Sequence, residues 1–148
     1  MKRHVTLIIA LMMFLAVVAG SAEAQASGAQ RLRARIPFAF NVGNKSLPAG
    51  EYTIIVLNPT SDRKVLRFRS ADGRLSAIVN TSELNTHTPE DVAKLVFNRY
   101  GDQYYFAKAQ IAGDSVTLTA VKSNAERNIE HAIASKAKKT TVTINAAL

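Results

Sequence analysis

The chain contains no cysteine and no tryptophan. Without cysteine there is no disulfide, no thiolate metal site and no thiol nucleophile, so packing alone must hold the fold. Histidine, the commonest catalytic base, is scarce: three in 148 residues, at His4, His87 and His131. No two of them have a His-x-His or His-x-x-x-His spacing. Gly-x-Ser-x-Gly, phosphate-loop and dinucleotide glycine patterns are missing as well. Nothing in the chain therefore stands out as a catalytic set, a cofactor site or a metal site.

There is one long hydrophobic run, and it is short for a membrane span. Leu7 to Ala19 (LIIALMMFLAVVA) is thirteen residues, where crossing a bilayer takes about 20. Met1-Lys2-Arg3-His4 precedes it, and two small-x-small sites follow, Ala22-Glu23-Ala24 and Ala24-Gln25-Ala26. This order predicts a secretory signal peptide over residues 1–24, cleaved after Ala24 or Ala26. The mature chain is then exported to the periplasm or the extracellular space, with no transmembrane segment. Losing Lys2, Arg3 and Glu23 lowers the formal charge from +8 to +7. Such an excess suits anionic partners, though it also serves solubility.

Residues 25–148 read as a single β-domain. Leu32, Ala34, Ile36, Phe38, Phe40 and Val42 alternate with Arg31, Arg33, Arg35, Pro37, Ala39 and Asn41, the period of a half-buried strand. Pro37 predicts a break or a sheet edge there. Leu47-Pro48-Ala49-Gly50 is a turn pattern leading into Glu51–Leu57, which reads as a strand buried on both faces. Asp72-Gly73, Gly101-Asp102 and Gly113-Asp114 each mark a hairpin, the first with type I′ chemistry. Two-residue loops predict Leu66 opposite Val79, Phe68 opposite Ala77, and Ala109 opposite Leu118. The same register puts Ala107, Ala109, Ile111, Val116 and Leu118 on an inner face, with Lys108, Thr117 and Thr119 outside. It leaves Leu95, Phe97, Tyr104 and Phe106 as an apolar patch on the opposite face.

A C-terminal helix from Ser123 to about Lys139 is the expected cover for that patch. Ser123-Asn124-Ala125-Glu126 is a capping-box pattern, and Ala125, Ile129, Ala132 and Ile133 recur at helical spacing. Lys136, Lys138 and Lys139 suit its C-terminal dipole. Thr140–Asn145 reads as a final strand, and Thr81–Asp91 as a polar loop with a helix start at Thr88-Pro89-Glu90-Asp91. The expected fold is all-β: an antiparallel meander of about 7–8 strands forming a small barrel or sandwich, with the helix packed on it.

Ile36-Pro37-Phe38-Ala39-Phe40-Asn41-Val42-Gly43-Asn44-Lys45-Ser46-Leu47-Pro48-Ala49-Gly50-Glu51-Tyr52 resembles a recurrent opening of small exported bacterial β-domain proteins of unknown function. Ser70-Ala71-Asp72-Gly73-Arg74, the stretch from Lys94 to Phe106 (KLVFNRYGDQYYF) and Ala112-Gly113-Asp114-Ser115 look like the rest of that pattern. The resemblance implies export and a shared β-domain, and it supplies no activity.

The candidate functional residues are basic. By strand parity Arg31, Arg33 and Arg35 share one outward face, and so do Arg67 and Arg69. If their strands are neighbours, these five form a surface for phosphate or sulfate groups, which guanidinium binds in bidentate fashion. A solvated face that discourages edge aggregation is the plainer reading. Phe38, Phe40 and Phe68 turn inward by parity, so base stacking, and with it nucleic acid, is not expected. The turn aspartates Asp62, Asp72, Asp102 and Asp114 are expected to bond their own backbone, and Glu90-Asp91 beside His87 matches no calcium loop. The favoured expectation is a non-enzymatic exported binding or cell-envelope-associated domain that meets an anionic polymer or envelope component. The alternative is a small periplasmic hydrolase or isomerase with its site in a barrel mouth.

Overall fold

A computed structural model describes residues 31–85, 88–133 and 139–148. Ten strands, β1 (Arg31–Ile36), β2 (Phe40–Val42), β3 (Lys45–Leu47), β4 (Gly50–Val56), β5 (Val65–Ser70), β6 (Ser76–Asn85), β7 (Ala93–Tyr100), β8 (Gln103–Gln110), β9 (Val116–Ala120) and β10 (Thr140–Ala146), are joined by one helix, α1 (Asn124–Ile133). The fold is all-β with a single C-terminal helix. Two consecutive meanders, β4-β5-β6 and β7-β8-β9, meet where β6 pairs with β9. β1 flanks the first on β4, and β10 flanks the second on β7.

β6 makes the corner between the meanders. Its first half pairs with β5, and from Thr81 onward it pairs with β9. Thr81 is 2 % exposed at the changeover, and its N–H and hydroxyl both donate to the Lys64 carbonyl. So residues 81–85, expected in a loop, form strand. Their ladder partners on β9 override a polar local sequence, since β-propensity depends on context. Thr88–Asp91 forms no helical turn.

At the opposite seam, Arg33 and Ala147 exchange two backbone hydrogen bonds of 2.7 and 2.9 Å. That single pair links β1 to the chain just after β10; the ladder goes no further, and the sheet stays unclosed. The strand breaks at Pro37 as expected, and β2 and β3 form a short extra hairpin. β2 touches β8 in parallel at Tyr105, which makes the sheet mixed instead of a pure antiparallel meander.

The core fills the space between the meanders with rings. Phe40, from β2, packs against Tyr52, Phe68 and Phe97 at centroid distances of 5.1, 5.9 and 5.4 Å. Phe106 extends the cluster, 4.8 Å from Phe68. Phe38 stacks on Tyr104 at 4.0 Å.

All three hairpin registers hold next to their turns, although two loops differ in form. Asp72-Gly73 sits in a longer loop, where the Gly73 N–H donates to Ser70 and Ser70 pairs with Leu75. Only Gly73 has positive φ there, so the turn is not type I′. Because the longer loop is centred on the same point, Leu66 still faces Val79 and Phe68 still faces Ala77. Gly101-Asp102 is a two-residue loop between Tyr100 and Gln103 with positive φ at the glycine alone, as type II′ requires.

One bulge overturns the face assignment of β7 and β8. The ladder shifts between Val96 and Phe97, so Phe97 faces Phe106 while Val96 faces Lys108, and Ala107 is the extra residue. A bulge reverses parity beyond it. Leu95, Phe97 and Phe106 therefore point into the core with Ala109 and Leu118, so the outer patch expected of them does not form. Thr117, expected outside and exposed, does face away from that core but is 2 % exposed, with Gln110 donating to its hydroxyl at 3.4 Å. Asn98, Tyr100 and Tyr105 are buried on the outer side instead.

Candidate functional site

The expected basic surface assembles. β1 and β5 are not adjacent; β4 lies between them, hydrogen-bonded to both. Its register aligns the arginines in rows. Arg33, Thr53 and Arg69 form one row, and Arg31, Ile55 and Arg67 the next, which continues to Ile78 of β6. Arg35 faces Glu51 across the first ladder. Strand geometry places arginines of one rank ~7 Å apart and the two ranks ~10 Å apart. An open cleft of about 470 Å³ lies at one end of this face, lined by Arg33, Ala34, Arg35, Glu51, Tyr52, Thr53 and Ala71.

None of Arg31, Arg33, Arg35, Arg67 and Arg69 has an ion-pair partner among the described residues. Arg67 is half-buried, and its Nε has no hydrogen-bond partner. Ile78, beside it, is 56 % exposed. The nearest carboxylate in the turn, Asp72, is occupied locally. It accepts from the Ser70 hydroxyl at 2.5 Å and the Arg74 N–H at 3.1 Å. The Ser70 bond, followed by the Arg74 N–H, holds its pKa below the ordinary value. Gly73 is required by its left-handed backbone. Its φ is +72°, and a Cβ there would stand 2.8 Å from Nη2 of Arg69, so the guanidinium lies against the turn.

A second polar centre sits under α1, and sequence reasoning missed it. Ser123 caps the helix, its Oγ accepting from the Glu126 N–H at 3.1 Å. The carboxylate of Glu126 does not complete the capping box. It accepts from Asn98 Nδ2 at 2.8 Å and from the Tyr100 hydroxyl at 3.3 Å, and the residue is 3 % exposed. Burial, then Glu126 and Glu130, raises the Tyr100 pKa well above 10.0, and burial raises that of Tyr105. Lys122 Nζ pairs with Glu130 at 2.6 Å, which leads the lowering of the Glu130 pKa.

The helix thus docks through a buried carboxylate. Ala125 and Ala132 are exposed and Ile129 is half-buried; the Ile133 side chain and residues 134–138 lie outside the described set. A recess of about 110 Å³ beside Glu126 includes Thr119, whose Oγ1 is buried without a partner. Glu126 acts there as a structural acceptor. The only sequence signal for this centre was a glutamate in the first helical turn, which the capping-box pattern explained otherwise.

The remaining candidates stay apart. His131 is exposed at the end of α1, and His87 lies outside the described residues. Glu90 pairs with Lys94 at 2.5 Å. Asp114 accepts from the Val116 N–H at 3.0 Å, as a turn aspartate should. Among the described residues no three His, Asp or Glu side chains are grouped so as to hold a metal ion, and no helix is long and apolar enough to cross a membrane. No family model matches the chain, and comparisons with curated proteins and with solved structures find no match. The class that can be stated is an all-β domain with one C-terminal helix and a basic three-strand face.

Proposed function

We propose that the protein is an exported, non-enzymatic binding domain of the cell envelope or its surroundings, and that it meets anionic partners through Arg31, Arg33, Arg35, Arg67 and Arg69. One observation carries this reading. Five arginines share the outer face of β1, β4 and β5 with no ion pair among the described residues. Arginines kept only for solubility have no need to share one face in register, whereas an anionic ligand gains from several forks aimed the same way. The ring-filled interior also supports binding over a hydrolase or isomerase in a barrel mouth, because the clefts found lie on outer surfaces.

The test is elution from an immobilised polyanion. Replacing all five arginines with glutamine should bring elution to markedly lower salt. A variant with five cations replaced elsewhere (Arg63, Arg74, Lys108, Arg127 and Lys45) has the same net charge and should elute much closer to the wild type. Equal shifts in the two variants would reduce the effect to net charge and overturn the proposal.

A further inference from the structure

From this basic face, and resting on that reading of it, we infer that the ligand is a linear polyanion, a sulfated or phosphorylated polymer, lying along β4 between two ranks of arginine. Arg31, Arg33 and Arg35 form one rank on β1, and Arg67 and Arg69 form the other on β5. Between them the outward residues of β4 are the uncharged Thr53 and Ile55, with Glu51 facing Arg35 at the end of the row, so from Thr53 to Ile55 the strand is a furrow with guanidinium on either side. The ranks repeat every ~7 Å along the strand, and successive anionic groups of one chain can be gripped alternately from left and right.

A flat anionic membrane fits this surface less well. A plane must meet every group beside the two ranks, whereas a chain needs only the ranks and the strand between them. Exposed carboxylates also stand at one end, Glu51 beside Arg35 and Asp72 in the β5–β6 turn. A broad anionic plane would meet them, while a chain can pass beside them. No aromatic side chain lies on the three outward rows, so recognition rests on charge and spacing and not on ring stacking. The Arg67 stem lies between Ile55 and Ile78 in its row, which holds its head in place at low entropic cost.

The test uses the folded mature protein with heparin oligosaccharides of graded length and with phosphodiester oligomers, which separate sulfate from phosphate sources. Inorganic sulfate and phosphate, and anionic phospholipid vesicles, are the other arms. Affinity should rise with chain length and level off once the furrow is filled. By counterion release the log–log salt slope should be about −3.5 to −4.5, roughly 0.7–0.9 for each of the five arginines engaged. Arg33→Gln with Arg35→Gln, and Arg67→Gln with Arg69→Gln, should each reduce that slope by one to two. Thr53→Glu, which places a carboxylate in the furrow without touching an arginine, should weaken oligosaccharide binding about tenfold with its melting curve unchanged. Binding without length dependence, or to vesicles but not to either oligomer, would overturn the linear-polymer inference and leave the anionic face standing. No binding to any anion at low salt would remove both.

Discussion

Single residues account for two features of the structure. Gly73 holds a left-handed backbone that a side chain would strain, and the movable end of Arg69 lies against it. Gly73→Ala is therefore expected to cost about 1–3 kcal/mol in a denaturant melt, and to push the Arg69 guanidinium from the turn. Glu126 holds the helix to the sheet. Glu126→Leu leaves Asn98 Nδ2 and the Tyr100 hydroxyl without their acceptor, each a loss of about 1–3 kcal/mol if it stays buried. Glu126→Gln, which keeps an acceptor in place, should cost less. Alkali acts on the same centre. Tyr52, Tyr100 and Tyr105 have folded pKa values above the free value of 10.0, with burial as the first cause. A raised pKa favours the neutral phenol in the fold, so this contribution is complete below pH 10 and is lost as the pH climbs through the folded values. Melting temperature should fall above about pH 10, and Tyr100→Phe should blunt that fall.

At the scale of elements, turn chemistry was legible and loop length was not needed to read it. The dipeptides at 72–73, 101–102 and 113–114 mark the centres of their hairpins, and register depends on the centre. Ala109 accordingly faces Leu118. Leu118→Ala should cost about 2–5 kcal/mol. Thr117→Ala should cost less despite its burial, because it removes one methyl and one long hydrogen bond. The bulge at Ala107 was not legible. A single extra residue carries no signal in an alternation that reads well in either parity, Val96 with Ala107 or Phe97 with Phe106. That one step moved the aromatic residues from the expected outer patch into the core. The helix start was legible at Ser123, but its docking face was not. A glutamate is placed at the surface by every composition rule, and only its partners Asn98 and Tyr100 make its burial tolerable. Ser123→Ala should lower stability by about 1 kcal/mol through loss of the cap.

At the scale of the molecule, period-two patterning makes the all-β class plain. The order of strands follows from contacts between residues far apart in sequence. The β6–β9 pairing and the excursion of β2 and β3 have no local cause. The arginine surface was half legible: parity alone aims Arg31, Arg33 and Arg35 one way, and Arg67 and Arg69 another way together. Only the position of β4 between β1 and β5 makes one face of them. The interior, centred on Phe40, is what holds that face in shape. Phe40→Ala is expected to cost about 3–5 kcal/mol and to weaken anion binding with it. The most direct measurement is a residue-resolved amide NMR titration with a heparin oligosaccharide at low salt. The largest shifts should fall on Arg31–Arg35, Glu51–Ile55 and Arg67–Arg69, with Asn98 and Glu126 unmoved. Shifts centred on the helix and β7, or spread evenly over the lysines of the whole surface, would contradict the account.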